Sequence, residues 1–160
     1  MGMTSAIVYY SYTGNTRKVA LQLKDYLERK GSVELIEIKA LDESKSFFGQ
    51  CNRAFFGKEA IIEGVRLELS GFDLICVGTP VWAFGPAPAI NAYLNKCAGV
   101  KNKTVVVFTT YGSGTGNGKC IRKIENSLKK KGAIKFRSFS IQQFKTSNKD
   151  FILDVLNKTL

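Results

Sequence analysis

Residues 11–16 read Ser11-Tyr12-Thr13-Gly14-Asn15-Thr16, and the fold is decided by what lies on either side of them. The six residues before this stretch are mostly apolar, as in a β-strand that is buried on both faces. After it, apolar residues recur with helical spacing between Val19 and Leu27. The pattern therefore predicts a strand, a tight polar loop and a helix.

The side chains of this loop suit an anion. Hydroxyl and amide groups donate hydrogen bonds, and the N-terminus of a helix adds unpaired N–H groups and a positive dipole end. The loop lacks the Gly-Lys-Ser/Thr ending of a nucleoside-triphosphate loop and the three-glycine spacing of a dinucleotide fingerprint. It also lacks Lys and Arg, which suits a static monophosphate held by neutral donors. A plain capping turn, with Thr13 or Asn15 satisfying the helix, is an equal alternative.

Composition predicts one ordered domain over residues 1–160, because 44% of the residues are hydrophobic and only three are Pro. No apolar run reaches the roughly 18–20 residues of a membrane span, and no secretory signal precedes the first strand, so a cytoplasmic location is expected. The four cysteines are widely spaced and His is absent. We therefore expect free thiols, no zinc or iron–sulfur site, and no His-based catalysis.

The net charge of +11 is unevenly distributed. Residues 99–160 contain 13 Lys or Arg and 3 Asp or Glu, whereas residues 1–98 are nearly balanced. Asymmetry of this kind concerns partners and not the fold. An acidic protein, nucleic acid and simple solubility remain open at this point.

Strand and helix patterns alternate along the rest of the chain. Apolar strands are predicted near 73–78, 103–109 and 134–141, a half-alternating one at 33–39, and helices near 15–30, 87–98, 119–131 and 148–158. This order indicates a parallel sheet with helices on both faces, whose ligands bind beyond the carboxyl ends of the strands. Polar loops at 11–16, 79–86 and 110–118 all follow strands and should converge there. Residues 40–72 predict a broken helix. The pairs Phe47-Phe48 and Phe55-Phe56 are expected in the core, and an aromatic platform for a ligand is the alternative.

The second and third loops each carry an aromatic residue among small ones. Trp82 and Tyr111 are placed to cover a flat ring, and stacking of this kind adds about 0.5–1.5 kcal/mol per aromatic pair beyond area burial. Nearby glycines allow backbone groups to approach the edge of that ring. A phosphate at one end and aromatics at the other describe a mononucleotide with a broad planar base.

These three loops, in order and spacing, resemble those of flavodoxins over essentially the whole chain. The resemblance implies a doubly wound five-stranded parallel sheet of order 2-1-3-4-5 that binds FMN non-covalently. It is nearest in motif to the flavodoxin-like proteins of anaerobic microbes. The cofactor-binding residues that it implies are Ser11, Tyr12, Thr13, Gly14, Asn15, Thr16, Thr79, Pro80, Val81, Trp82, Ala83, Phe84, Gly85, Thr110, Tyr111, Gly112, Ser113, Gly114 and Gly116.

Within that set, the resemblance assigns the phosphate to the hydroxyl and amide side chains of residues 11–16. It places the flavin ring between Trp82 and Tyr111, with its edge against the backbone near Ala83 and Gly112. Two features depart from the best-known flavodoxins: Ala83 replaces a Gly, and no Asp or Glu occurs between Asp73 and Glu125. Fewer carboxylates near the flavin predict a less negative hydroquinone potential and a weakly accumulated semiquinone.

The resemblance implies a low-potential electron carrier that works between redox proteins such as ferredoxin and reductases. An acidic ferredoxin could dock on the basic C-terminal half, next to Lys119, Arg122 and Lys123. The alternative is an FMN-dependent NAD(P)H:quinone or small-molecule reductase. A nucleic-acid-binding module ranks below both, because the basic residues are not interleaved with aromatics. We expect no catalytic side chain, no metal, no membrane span, and a monomer or homodimer.

Overall fold

The computed structural model describes residues 2–42, 49, 51–53, 56 and 58–160. Its strands are β1 Met3–Tyr9, β2 Gly31–Glu37, β3 Leu74–Trp82, β4 Gly85–Pro86, β5 Thr104–Tyr111 and β6 Lys135–Gln142. Its helices are α1 Asn15–Leu27, α2 Pro88–Lys96, α3 Asn117–Lys130 and α4 Lys149–Thr159, with a 3₁₀ turn over Gln143–Lys145. The elements alternate as the sequence pattern predicts, and most boundaries fall within a few residues.

Helices cover both faces of a parallel sheet. Along β1, Ala6 and Val8 face one core with α2 and α3, whereas Ile7 and Tyr9 face the other core with α1 and α4. Because both faces are buried, the central strands are apolar almost without interruption. Full burial of one aliphatic side chain is worth about 1.5–3 kcal/mol, and each strand contributes several.

The strand count differs from the prediction. The order of the parallel strands is β2-β1-β3-β5-β6, and the two-residue strand β4 pairs antiparallel with β3. The doubly wound class is therefore right, but a five-stranded sheet of order 2-1-3-4-5 is wrong, since six strands are present in the described chain. The cause is that residues 79–86 form a hairpin and not an open loop. Its turn residues Ala83 and Phe84 have φ of 46° and 65°, as at the centre of a type I′ turn.

The connection between β2 and β3 is only partly described. Ala40 forms an antiparallel bridge with Ile62, and residues 49 and 51–53 are helical. Of the predicted aromatic pairs, Phe47, Phe48 and Phe55 lie outside the described residues. Phe56 is 66% exposed, so its prediction as a core residue is wrong.

The parallel arrangement gives the sheet two distinct edges. The strands β1, β3 and β5 end at the carboxyl edge, where the loops at 11–16, 79–86 and 110–118 meet. The helices run back and finish at the amino edge, where the strands begin. Among the described residues, no helix combines the length and apolar character that crossing a membrane requires.

Candidate functional site

A cleft of about 360 Å³ opens at the carboxyl edge, between the three predicted loops. A smaller groove of about 130 Å³ lies between α1 and α4, far from any convergence of polar loops. The described residues that line the cleft are Tyr12, Thr13, Asn15, Thr16, Cys51, Pro80, Val81, Trp82, Ala83, Thr110, Tyr111, Gly112, Ser113 and Gln143.

Most of the predicted site residues line the cleft, and the rest lie outside its lining. The second group supports the loops from outside the lining and consists of Ser11, Gly14, Thr79, Phe84, Gly85, Gly114 and Gly116. Two lining residues, Cys51 and Gln143, were not predicted. The sheet therefore brings the three loops together as the sequence indicates, while two further segments, at Cys51 and at Gln143, join them.

The first loop leads directly into the N-terminus of α1. Gly14, with φ of 88°, is the N-cap and provides no side chain to the first turn, which also carries no acidic residue. Ser11 Oγ accepts the N–H of Arg17 at 3.2 Å, so this hydroxyl already caps part of the turn. Asn15 Nδ2 donates to Thr13 Oγ1 at 3.3 Å. The loop thus combines neutral donors with the positive end of a helix, the arrangement that binds phosphate.

Two buried hydroxyls tie the loops to one another. Thr16 and Thr110 are almost fully buried, and their Oγ1 atoms lie 2.8 Å apart across 94 residues of sequence. Because the Thr16 hydroxyl bonds to the third loop, it fixes the floor of the cleft. Of the side chains predicted to hold the phosphate, Thr13 is exposed and Asn15 is half-buried, which leaves both accessible from the cleft.

One of these further segments, residues 142–146, braces the first and third loops. Thr146 is 1% exposed and shares its hydroxyl proton between Asn15 Oδ1 at 3.1 Å and the carbonyl oxygen of Gln143 at 2.9 Å. Gln142 Nε2 donates to the carbonyl oxygen of Gly112 at 3.2 Å. The segment therefore holds both the amide of the phosphate loop and the backbone of the third loop.

The hairpin turn is held in a conformation that Ala and Phe adopt rarely. Each residue at positive φ costs about 1–2 kcal/mol, and such strain persists only where the surroundings impose it. Thr79 Oγ1 accepts the N–H of Ala87 at 3.0 Å, which anchors the base of the hairpin. At the tip, Phe84 covers Gly116 so closely that a Cβ there would lie 2.5 Å from the ring. The turn and the third loop are thus fitted to each other.

The aromatic residues of the cleft differ in accessibility. Trp82 is 5% exposed and stands edge-on to Tyr10 and Tyr12, with ring centroids 5.8 and 5.5 Å away. Tyr12 and Tyr111 are both half-buried. The Trp82 ring is therefore largely buried in the core, and the rings of Tyr12 and Tyr111 offer more surface to a ligand.

The described lining of the cleft contains no Asp, Glu, Lys or Arg. Burial and the nearby Glu37 raise the pKa of Tyr9 to about 12, although Arg17 opposes them, so Tyr9 stays neutral. Burial also raises the pKa of the Cys51 thiol, and that of Cys120 to about 12. Among the described residues, no three His, Cys, Asp or Glu side chains are close enough together to bind a metal ion. The described lining therefore consists of aromatic, hydroxyl, amide, thiol and backbone groups.

This set of groups fits FMN. Uncapped helix N–H groups and the Asn15 amide suit its phosphate, and two half-buried tyrosines suit its ring. A family model described as NADPH-dependent FMN reductase matches residues 7–146, which include every described lining residue. The chain belongs to the NADPH-dependent FMN reductase family. Its cofactor is FMN.

Solved structures show the same fold at low sequence identity. A flavoprotein of Lactobacillus acidophilus in complex with FMN is 20% identical, covers 92% of this chain and 97% of its own, and has a TM-score of 0.69. A protein of Bacteroides uniformis named as a flavoprotein is 17% identical, with coverages of 98% and 99% and a TM-score of 0.73. Two-electron reduced Megasphaera elsdenii flavodoxin is 20% identical, with coverages of 87% and 85% and a TM-score of 0.57. No curated protein matches the sequence.

The unpredicted residues of this FMN reductase family member share one property. Cys51, Gln143 and Thr146 belong to segments that carry no glycine-rich or hydroxyl-rich motif. For Gln143 and Thr146, the available signal is their place after the last strand, because that connection must also reach the carboxyl edge. The helical pattern around Cys51 contains no equivalent signal.

Proposed function

We propose that this chain is an FMN-dependent reductase that takes electrons from NADPH and passes them to a second acceptor. The observation that carries the proposal is the match of residues 7–146 to the NADPH-dependent FMN reductase model. That interval runs from β1 to Thr146 and so includes every described segment that lines the cleft. The match favours an FMN-dependent reductase, which the sequence alone offers as the alternative, over an electron carrier.

The residues of the chain bind and orient the cofactor. The donors of residues 13–16 and the N-terminus of α1 hold the phosphate, with Thr146 setting the orientation of the Asn15 side chain. Tyr12 and Tyr111 would contact the ring of bound FMN, and the backbone at Ala83 and Gly112 would hydrogen-bond to its edge, since all four residues line the cleft. Bound FMN supplies the redox chemistry, accepting a hydride and releasing electrons one or two at a time. The described lining needs no general acid or base for that work.

An electron carrier remains the second candidate, on a specific observation. Two exposed aromatic residues directly follow residues that line the cleft: Phe84 is 45% exposed with Lys119 Nζ 5.8 Å from its ring centre, and Phe144 is 80% exposed. The next residue, Lys145, places its Nζ 4.5 Å from the ring centre of Phe151. A rim of apolar and positive groups suits an acidic redox protein such as a ferredoxin. Such docking should weaken steeply with added salt.

The deciding experiment is anaerobic reduction of the FMN-loaded protein, followed by flavin absorbance. Rapid bleaching by NADPH alone supports the reductase. Bleaching only by a reduced ferredoxin, with a rate that falls as salt rises, supports the carrier. A colourless protein that cannot be reconstituted with FMN overturns both.

A further inference from the structure

The basic half of the chain does not gather around the cleft. Lys119 and Lys145 lie at the carboxyl edge, but more of the positive charge lies at the opposite, amino edge of the sheet. Six lysines there belong to the connection before β5, to the end of α3 and the residue after it, and to the start of β6. We call them the lysine edge: Lys101, Lys103, Lys129, Lys130, Lys131 and Lys135.

The two segments of the lysine edge are in direct contact. Asn102 N–H donates to the carbonyl oxygen of Gly132 at 2.8 Å, and Ile134 N–H donates to that of Lys103 at 3.1 Å. The side chain of Lys101 lies against Gly132, where a Cβ would come within 3.1 Å of it. The six lysines therefore lie along one edge of the sheet, with the lysines of α3 on the face of the sheet that α3 covers and Lys135 on the opposite face, beside Arg137 and Leu160.

Little negative charge opposes this surface. Within the described chain, none of the six lysines forms an ion pair. Lys103 Nζ donates to the carbonyl oxygen of Ser70, and Lys131 Nζ donates to those of Asn95 and Cys97. The nearby carboxylates are Asp73 and Glu68, which accept hydrogen bonds from Thr4 and Ser70 and remain charged, and the positive charge of Lys103 helps to lower the pKa of Asp73. The four remaining lysines are exposed and carry unneutralised charge.

Stabilisation of α3 explains only part of this pattern. Lys129, Lys130 and Lys131 stand at the C-terminus of the helix, where positive charge offsets the dipole. Lys101 and Lys135 are not in a helix and gain nothing from this effect. At the centre of the surface, between the segments, Ile134 is 69% exposed. A large aliphatic side chain amid lysines is a combination that neither capping nor solubility requires.

We propose that the lysine edge binds an anionic lipid surface. Clusters of four to eight Lys or Arg attract anionic membranes, and an apolar side chain adds insertion into the interface. The cluster is entirely lysine; the neighbouring Arg137 instead donates to the carbonyl oxygen of Leu160 at 2.7 Å. A cluster of lysine ammonium groups without Arg, aromatic stacking or a helix N-terminus suits lipid headgroups better than nucleic acid. In this orientation the cleft, at the other edge, faces the aqueous phase.

The test is co-sedimentation of the full chain with vesicles of phosphatidylcholine, with or without phosphatidylglycerol. We expect binding only when phosphatidylglycerol is present, and release by salt. The variant Lys129→Gln/Lys130→Gln/Lys135→Gln should lower the partition coefficient roughly 100-fold, and Ile134→Ser should lower it several-fold at high salt. The matched control is Lys119→Gln/Lys123→Gln/Lys145→Gln, which removes the same charge near the carboxyl edge and should change vesicle binding far less.

Two results would overturn the proposal. Equal losses in the two triple variants would mean that net charge, and not this surface, drives binding. Tighter binding to duplex DNA than to the anionic vesicles at the same salt, lost in the lysine-edge variant, would assign the surface to nucleic acid. Neither result depends on whether the cleft holds FMN, so the proposed function and this inference fail separately.

Discussion

Thr146 lies 3.1 Å from Asn15, with its hydroxyl directed at Oδ1 of the side-chain amide. The two residues are 131 positions apart, yet this contact decides which way the amide of the phosphate loop faces. Because Oδ1 is occupied, Nδ2 points toward Thr13 and is available to an anion.

Replacing Thr146 should therefore weaken FMN binding through the phosphate alone. We expect Thr146→Val to raise the Kd for FMN about 5–10-fold, the value of one hydrogen bond, and to leave the Kd for riboflavin unchanged. Thr146→Ser should restore FMN affinity. Thr159→Val, which removes a hydroxyl bonded within α4, is the control. Equal losses for both flavins would show that Thr146 only supports the fold.

Trp82 and Tyr111 should have opposite roles in stability and binding. Trp82→Ala removes a buried ring and should lower the free energy of unfolding by about 3–5 kcal/mol. Tyr111→Ala should change stability little and weaken FMN binding about tenfold, since it removes a ligand-facing ring. Urea unfolding of the apoprotein and flavin fluorescence titration measure the two effects. If Trp82→Ala mainly weakened FMN binding and Tyr111→Ala mainly lowered stability, Trp82 would be the residue that stacks on the flavin ring.

Replacement of Ala83 by glycine should stabilise the protein, whereas the same replacement at other alanines should not. Its φ of 46° is strained for a residue with a Cβ, so Ala83→Gly should raise the free energy of unfolding by about 1 kcal/mol. Ala87, with φ of −58°, is the control, and Ala87→Gly should be destabilising. A destabilising Ala83→Gly, measured by urea unfolding, would show that the turn does not carry this strain.

The potential of bound FMN should respond to charge in the cleft. The described lining has no carboxylate, so we expect a less negative hydroquinone potential and little accumulated semiquinone in an anaerobic titration. Gln143→Glu places an anion at the lining and should make the potential more negative by several tens of millivolts. Ser138→Glu, an exposed position on β6 outside the cleft, should have a much smaller effect. A prominent semiquinone band in the unmodified protein would contradict this account.

Asp73 should contribute stability that is lost in acid. The N–H and hydroxyl of Thr4 hydrogen-bond to its carboxylate and hold its pKa below the ordinary value. This contribution is present above the unfolded pKa, near 4, and is lost as pH falls through the lowered folded value. Asp73→Asn should thus reduce the free energy of unfolding at neutral pH, with the two curves converging in acid. The surface pair Asp154–Lys158 is the control, and Asp154→Asn should have little effect.

The sequence by itself determined the doubly wound class and the positions of three of the five described segments around the cleft. Strands buried on both faces are apolar throughout, helices repeat with a different period, and polar loops between them stand out. The motif of residues 11–16 also indicated a phosphate, because its residue types and its place before a helix are local features. Local features of this kind can be found in one chain.

The tertiary structure decided what depends on contacts between distant residues. The buried Thr16–Thr110 pair, the Thr146–Asn15 contact and the burial of Trp82 between Tyr10 and Tyr12 have no local signature. The strand β4 arises because a turn at Ala83 and Phe84 is held at positive φ by packing on Gly116, against the preference of both residues. The separation of the lysine edge from the cleft likewise follows from chain direction in a parallel sheet, which sends strand starts and helix ends to one edge and the ligand loops to the other.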